Sequence, residues 1–187
     1  MNKNKGYTLV EMLIVITIMV IFSGLSFVVL AIIKDAKRTT AVNTFDSQIS
    51  SCLVRTKAVS GKGVNSDPYC MLIQKRSDNK GQYGIIMGYY SAGKIVNDKG
   101  VELSVDNDND CVAILPREVE GIKYDNKSIA EQSSMNSGDK YLIQFNKADG
   151  SVTYGAGTYE LISTRNRVTG TYAKIFLDRT TGSHYTK

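Results

Sequence analysis

A chain of 187 residues has room for one globular domain plus one extended element, and 42% hydrophobic with 22% charged content excludes global disorder. The formal charge of +5 is concentrated in the first 60 residues, whereas residues 61–187 are near charge balance, which argues against a broad nucleic-acid-binding face on the later part. Cys52, Cys70 and Cys111 form no C-x-x-C pair, which removes the usual spacing of a structural zinc site.

The chain opens with a short basic stretch, residues 1–6, MNKNKG. Residues 7–33 follow as YTLVEMLIVITIMVIFSGLSFVVLAII, with Glu11 the one charged side chain. As a helix this run would extend about 40 Å, more than the ~30 Å hydrocarbon core of a bilayer. No proline interrupts it, and Gly24 between Ser23 and Ser26 is its weakest point. A secretory signal peptide would be shorter and would end at small residues, yet basic residues follow this run. A carboxylate inside hydrocarbon costs several kcal/mol unless it meets a cation or the interface, so Glu11 marks a functional position.

The hexapeptide Gly6-Tyr7-Thr8-Leu9-Val10-Glu11 resembles the cleavage and methylation site of type IV prepilins and type II secretion pseudopilins. That signature is a glycine, an aromatic residue (usually Phe, here Tyr7), then Thr-Leu-x-Glu opening a long apolar run. The resemblance implies that a membrane-embedded prepilin peptidase cuts after Gly6 and methylates the new amine of Tyr7. It implies that Glu11 of one subunit neutralises the Tyr7 amine of its neighbour during assembly, which would offset the burial of both charges. It also implies a single pass through the cytoplasmic membrane with the globular domain outside, and later a place in a cell-surface pilus. The implied partners are the peptidase, other pilin or pseudopilin subunits and an assembly-platform membrane protein.

Residues 34–60 turn amphipathic. Val42, Phe45, Ile49, Leu53, Thr56 and Val59 recur at spacings of three and four, while Lys37, Arg38, Asp46, Gln48, Arg55 and Lys57 occupy other positions. One helix is therefore expected from about residue 7 to 60, ended by Ser60-Gly61-Lys62-Gly63. Residues 61–187 read as an antiparallel β domain with strands at 70–75, 83–90, 101–105, 111–115, 141–145, 158–163 and 172–177. The stretch 125–139 reads as a mobile polar loop. The resulting fold class is α+β: a pilin-like long helix, half transmembrane and half amphipathic, packed on an antiparallel sheet.

The segment 141–152, with its Asp149-Gly150 turn, and the segment 175–182 are similar to the closing strands of the minor-pseudopilin group called type H or type T. Hairpins of this kind also arise without any family to explain them. Asp106, Asp108 and Asp110 are calcium candidates, because their spacing matches the start of an EF-hand loop. Cys111 stands where that loop needs glycine and Arg117 where it needs glutamate, so a polar hairpin loop is the favoured reading. His184, the sole histidine, has no companion ligand in sequence. Arg165, Arg167, Lys174 and Arg179 with Tyr154, Tyr159 and Tyr172 could contact nucleic acid, but a solvated face is the favoured reading. Two of Cys52, Cys70 and Cys111 could form a disulfide outside the membrane, in any of three pairings; three buried thiols is the equal alternative.

No nucleophile elbow, P-loop or dinucleotide fingerprint is present. A structural subunit without cofactor is therefore expected, and the resemblance at Gly6–Glu11 implies a minor pilin of a type IV pilus. The alternatives are a pseudopilin of a type II secretion or competence DNA-uptake system, and a single-pass membrane-anchored surface-binding domain.

Overall fold

The computed structural model describes residues 8–58, 67–77, 81–125, 140–165 and 168–187. Two compact units divide the chain, one ending at Lys37 and one covering Arg38–Lys187. A single helix, α1 (Leu9–Ala58), contributes to both. The expected cap at residues 60–63 lies outside the described residues, as does the expected loop at 125–139 except for Asp125, which is the last residue of a strand.

Within the first unit α1 is apolar and exposed nearly all round, and it contains a stretch long and apolar enough to cross a membrane. Its hydroxyls are absorbed by the helix itself. Thr17 Oγ1 donates to the Leu13 carbonyl at 2.8 Å, Ser23 Oγ to Met19 at 2.7 Å and Ser26 Oγ to Phe22 at 2.9 Å. In hydrocarbon such back-bonding removes the cost of an unsatisfied hydroxyl. The helix passes Gly24 without interruption.

In the second unit α1 buries a stripe made of Arg38, Ala41, Phe45, Ile49, Cys52 and Thr56, at helical spacing. Phe45, Ile49 and Thr56 lie on the expected face; Val42 and Leu53 flank it half-buried, and Val59 lies outside the described residues. Arg38, expected off that face, is only 7% exposed. Its Nε donates to Ser163 Oγ at 2.9 Å and its Nη2 to the Thr164 carbonyl at 2.7 Å. The guanidinium also stands 6.0 Å from the centre of the Tyr172 ring. Burial of this cation is sustained by hydrogen bonds and a π face that the helix pattern could not reveal.

Ten strands follow among the described residues: β1 (Tyr69–Lys75), β2 (Tyr83–Ser91), β3 (Lys94–Val96), β4 (Ala113–Ile114), β5 (Gly121–Asp125), β6 (Lys140–Phe145), β7 (Val152–Tyr154), β8 (Gly157–Arg165), β9 (Val168–Leu177) and β10 (His184–Thr186). They build two antiparallel sheets, one ordered β3-β2-β1-β6-β7 with β4 also on β2, the other β10-β9-β8-β5. An α+β arrangement of one long N-terminal helix and antiparallel sheets is thus observed.

Two expected strands change. Residues 101–105 make only a bridge, Glu102 to Val96, because the turn at 97–100 returns the chain beside β3 and the next turn, closed by the Asn107 amide on the Ser104 carbonyl, already includes Val105. The strand expected at 111–115 shortens to β4, although Val112 and Leu115 N–H groups still bond the carbonyls of Ile85 and Tyr83. Three short strands, β3, β5 and β10, have no counterpart among the expected ones, whereas β7 follows the Asp149-Gly150 turn. The β2–β3 hairpin turns at Ala92-Gly93 with φ of 49° and 84°, a left-handed pair that usually advertises itself as Asn-Gly.

The first sheet is covered on both faces. Met71 and Ile73 of β1 join the cluster under α1, with Phe45, Ile49 and Cys52. Cys70 and Leu72 point into a second cluster with Ile95 and Val105. That explains the unbroken apolar run of β1, which a half-exposed strand would not carry. Between α1 and both sheets sit Tyr124, Tyr141 and Tyr159, with ring centres 4.9–6.4 Å apart and Phe45 5.5 Å from Tyr159. Their hydroxyls donate to backbone carbonyls: Tyr124 to Ala156 at 2.7 Å, Tyr159 to Gly155 at 2.6 Å, and Tyr141 to Ile122. No phenol in this aromatic cluster is left without a partner.

Candidate functional site

The motif residues divide between what is described and what is not. Gly6 and Tyr7 lie outside the described residues. Thr8 stands just ahead of α1, and Glu11 sits in its first turn. Glu11 Oε2 accepts the Thr8 amide at 2.8 Å and the Thr8 hydroxyl at 3.0 Å, while Thr8 Oγ1 accepts the Glu11 amide at 3.2 Å. This reciprocal arrangement is a capping box, in which Thr-x-x-Glu satisfies amides that the helix start leaves without partners. The carboxylate also lies at the positive end of the helix dipole. Within the motif Thr8 caps the helix, a role that T-x-x-E ahead of an apolar run signals in sequence. Chemically, the site presents an oriented carboxylate at the tip of an apolar helix, suited to a cationic partner.

The other candidates separate. Asp106, Asp108 and Asp110 each serve a different donor. Asp106 Oδ1 accepts the Ser77 amide at 2.7 Å, Asp108 pairs with Arg76, and Asp110 Oδ2 accepts the Ser104 amide at 3.1 Å. The cation among these carboxylates is the buried guanidinium of Arg76, only 6% exposed. Among the described residues, no group of three or more His, Cys, Asp or Glu side chains is placed to hold a metal ion.

The three cysteines are free thiols, Cys52 and Cys70 buried and Cys111 half-buried. Cys52 belongs to the cluster on the α1 side of β1 and Cys70 to the cluster on the opposite side. Cys70 Sγ lies 3.6 Å from the Gly88 carbonyl, whereas Cys111 Sγ packs at Gly84. Those two points on β2 are four residues, or roughly 13 Å, apart, against the ~2 Å of a sulfur–sulfur bond. Burial raises the Cys52 thiol to about 12 and pushes Cys70 up as well; half-burial also raises Cys111.

An expected result follows for pH and reagents. At pH 8 a thiol-specific reagent should modify Cys111 slowly and reach Cys52 and Cys70 only after denaturation. Because the folded state keeps Cys52 protonated up to about 12, from an ordinary value of 9.0, stability is present below pH 9 and falls as pH rises above it. Cys52→Ala should flatten that alkaline decline in a denaturation series; rapid labelling of all three native thiols would contradict the burial.

His184 lies on β10, which is paired with β9 rather than frayed. Its Nε2 is 3.1 Å from Ser50 Oγ and 3.5 Å from Asp46 Oδ1, so it links the last strand to α1. The described residues considered for nucleic acid do not share one exposed face. Tyr159 is fully buried, Tyr172 is half-buried beside Arg38, and Lys174 is paired with Glu160 at 2.5 Å. Arg167 and the side chain of Arg165 lie outside the described residues.

Residues 1–27 match the family described as the prokaryotic N-terminal methylation motif. No curated protein and no solved structure matches the chain. Residues 1–27 thus carry a prepilin-type N-terminal methylation motif on a membrane-competent helix, which supports a type IV pilin-like or pseudopilin precursor.

Proposed function

We propose that this chain is a minor subunit of a type IV pilus, cut by prepilin peptidase after Gly6, methylated on Tyr7 and assembled through its N-terminal helix. One observation carries the reading: a methylation motif heads an apolar helix exposed nearly all round, and that helix continues into a folded β domain. In a membrane the exposed helix is solvated by lipid; in a filament the same surface packs against other helices. Related subunits then stack through a heterologous contact that propagates instead of closing. Glu11, already oriented by Thr8, supplies the carboxylate that meets the Tyr7 amine of a neighbour. The globular part lies outside the cytoplasmic membrane in this reading.

Mass spectrometry of the chain from its native membrane should show a mature N-terminus at methylated Tyr7. Gly6→Val should leave residues 1–6 attached and hold the chain in the membrane, because the peptidase cleft needs an extended backbone without a Cβ there. Glu11→Ala should be processed normally yet drop out of sheared filaments. An intact leader on the wild-type chain would turn the reading to an ordinary anchored domain. Recovery with secretion or DNA-uptake components, in place of pilus subunits, would make the chain a pseudopilin.

A further inference from the structure

We propose that the outer face of the β10-β9-β8-β5 sheet holds a binding site for a neutral glycan built of hexopyranose units, independently of any filament role. A cleft of about 450 Å³ opens there, lined by Asp125, Thr158, Glu160, Lys174, Phe176 and Arg179, among others. The sheet register explains why these side chains meet. One cross-strand row runs Asp125, Thr158, Phe176, Tyr185, and the next runs Lys123, Glu160, Lys174. The two rows are roughly 7 Å apart, the repeat of same-face residues along a strand.

Phe176 stacks on Tyr185 with ring centres 4.8 Å apart and planes 14° apart, and Tyr185 is 60% exposed. Phe176 also borders the cleft, so an aromatic wall stands beside fixed polar groups. A cross-strand aromatic pair stabilises a sheet without any ligand. It does not account for the cleft next to it, where acceptors and donors are already held in place. Glu160 takes Lys174 Nζ on Oε1 and the Thr171 hydroxyl on Oε2, at 2.5 and 3.0 Å.

The chemistry selects the ligand class. Carboxylates and cations interleave around the cleft, so there is no field to hold a phosphate backbone or an anionic headgroup. A pyranose ring has an apolar face of C–H groups that fits the negative face of an aromatic ring, and hydroxyls around its rim that both donate and accept. The Phe176 wall and the Glu160–Lys174 pair offer these two halves side by side.

The test uses the full-length chain in phosphocholine micelles, which carry no sugar headgroup, with near-ultraviolet circular dichroism to confirm folding. Saturation-transfer difference NMR is recorded with the methyl β-glycosides of glucose, galactose and N-acetylglucosamine, each at millimolar concentration. At least one should receive saturation, strongest on the C–H groups of one ring face. Phe176→Leu, which keeps apolar bulk but removes the π face, should weaken binding roughly 3- to 10-fold. Glu160→Gln gives an independent arm and should also weaken it. No saturation of any of the three sugars, or equal binding by wild type and both variants, would overturn the proposal. So would binding of single-stranded oligothymidine in place of the sugars.

Discussion

Alanine at Gly182 should lower the melting temperature of the β-containing unit by roughly 6–12 °C, equivalent to about 3 kcal/mol in a unit of this size. The reason lies in two turns of the same design. In 146–151 the Gly150 amide donates to the Asn146 carbonyl at 2.9 Å and the Asn146 amide to the Ser151 carbonyl at 2.7 Å. In 178–183 the Gly182 amide donates to Asp178 at 3.0 Å and the Asp178 amide to Ser183 at 2.8 Å. Each turn has a left-handed glycine, Gly150 with φ of 81° and Gly182 with φ of 65°.

The turns are packed on one another. A Cβ on Gly182 would collide with the Gly150 carbonyl oxygen and lie 3.3 Å from Phe145 Cε1. The Val152 amide donates to the Arg179 carbonyl at 2.8 Å, so the second turn also hydrogen-bonds the edge strand of the other sheet. Backbone cannot swing aside as a flexible side chain could. Gly93→Ala separates the two causes: its φ is 84° but nothing lies within 4 Å of the added carbon. That change should cost only about 1 kcal/mol, the backbone preference alone. Equal losses at both glycines, read by thermal melts of the full-length chain in micelles, would remove the collision from the account.

Phe45→Ala is expected to cost about 3–5 kcal/mol, as deletion of a fully buried aromatic ring does. Phe45 is 0% exposed and lies where α1 meets Tyr159 of β8. Truncation leaves a cavity against Tyr159, which is itself packed by Tyr124 and Tyr141; all three rings are held by hydroxyl bonds to backbone, which resists collapse into the space. Denaturant unfolding followed by tyrosine near-ultraviolet signals should report the loss while helical circular dichroism persists, since α1 in the first unit needs no such contact. Val54→Ala, on the same helix but 65% exposed, should stay within about 0.5 kcal/mol of the native chain. A Phe45 variant as stable as the Val54 variant would show that the helix does not depend on this ring for its seat.

Legibility in the sequence followed the range of the interaction. The helix start is written in Gly6 to Glu11, and the Thr8–Glu11 capping box needs only three residues of separation. Strands with long apolar runs, β1, β2, β6 and β8, could be read in place because their pattern repeats over six to nine residues. Strands of three residues, such as β3 and β10, carry too few positions for a period to show. The spacing of Asp106, Asp108 and Asp110 leaves calcium as the lesser alternative to a polar loop, and spacing alone does not show that Arg76, 30 residues upstream, reaches that loop. Likewise the clustering of Tyr154, Tyr159 and Tyr172 with basic residues was proximity along the chain, whereas strand alternation sends Tyr159 inward.

What the amino-acid order determined by itself is the membrane-competent helix with its cleavage signature, the helical face that carries Phe45 and Ile49, and the α+β class. Each of these is a local property, set by hydrophobic period or by a few adjacent residues. Only the tertiary structure decided that Arg38 is buried on Ser163 and Thr164, more than a hundred residues away, and that Cys52 and Cys70 lie on opposite sides of one sheet. It also decided that two distant turns interlock and that Phe176 walls a cleft. Those outcomes depend on strand register and sheet order, which are selected by the summed packing of the whole domain and are encoded in no single segment.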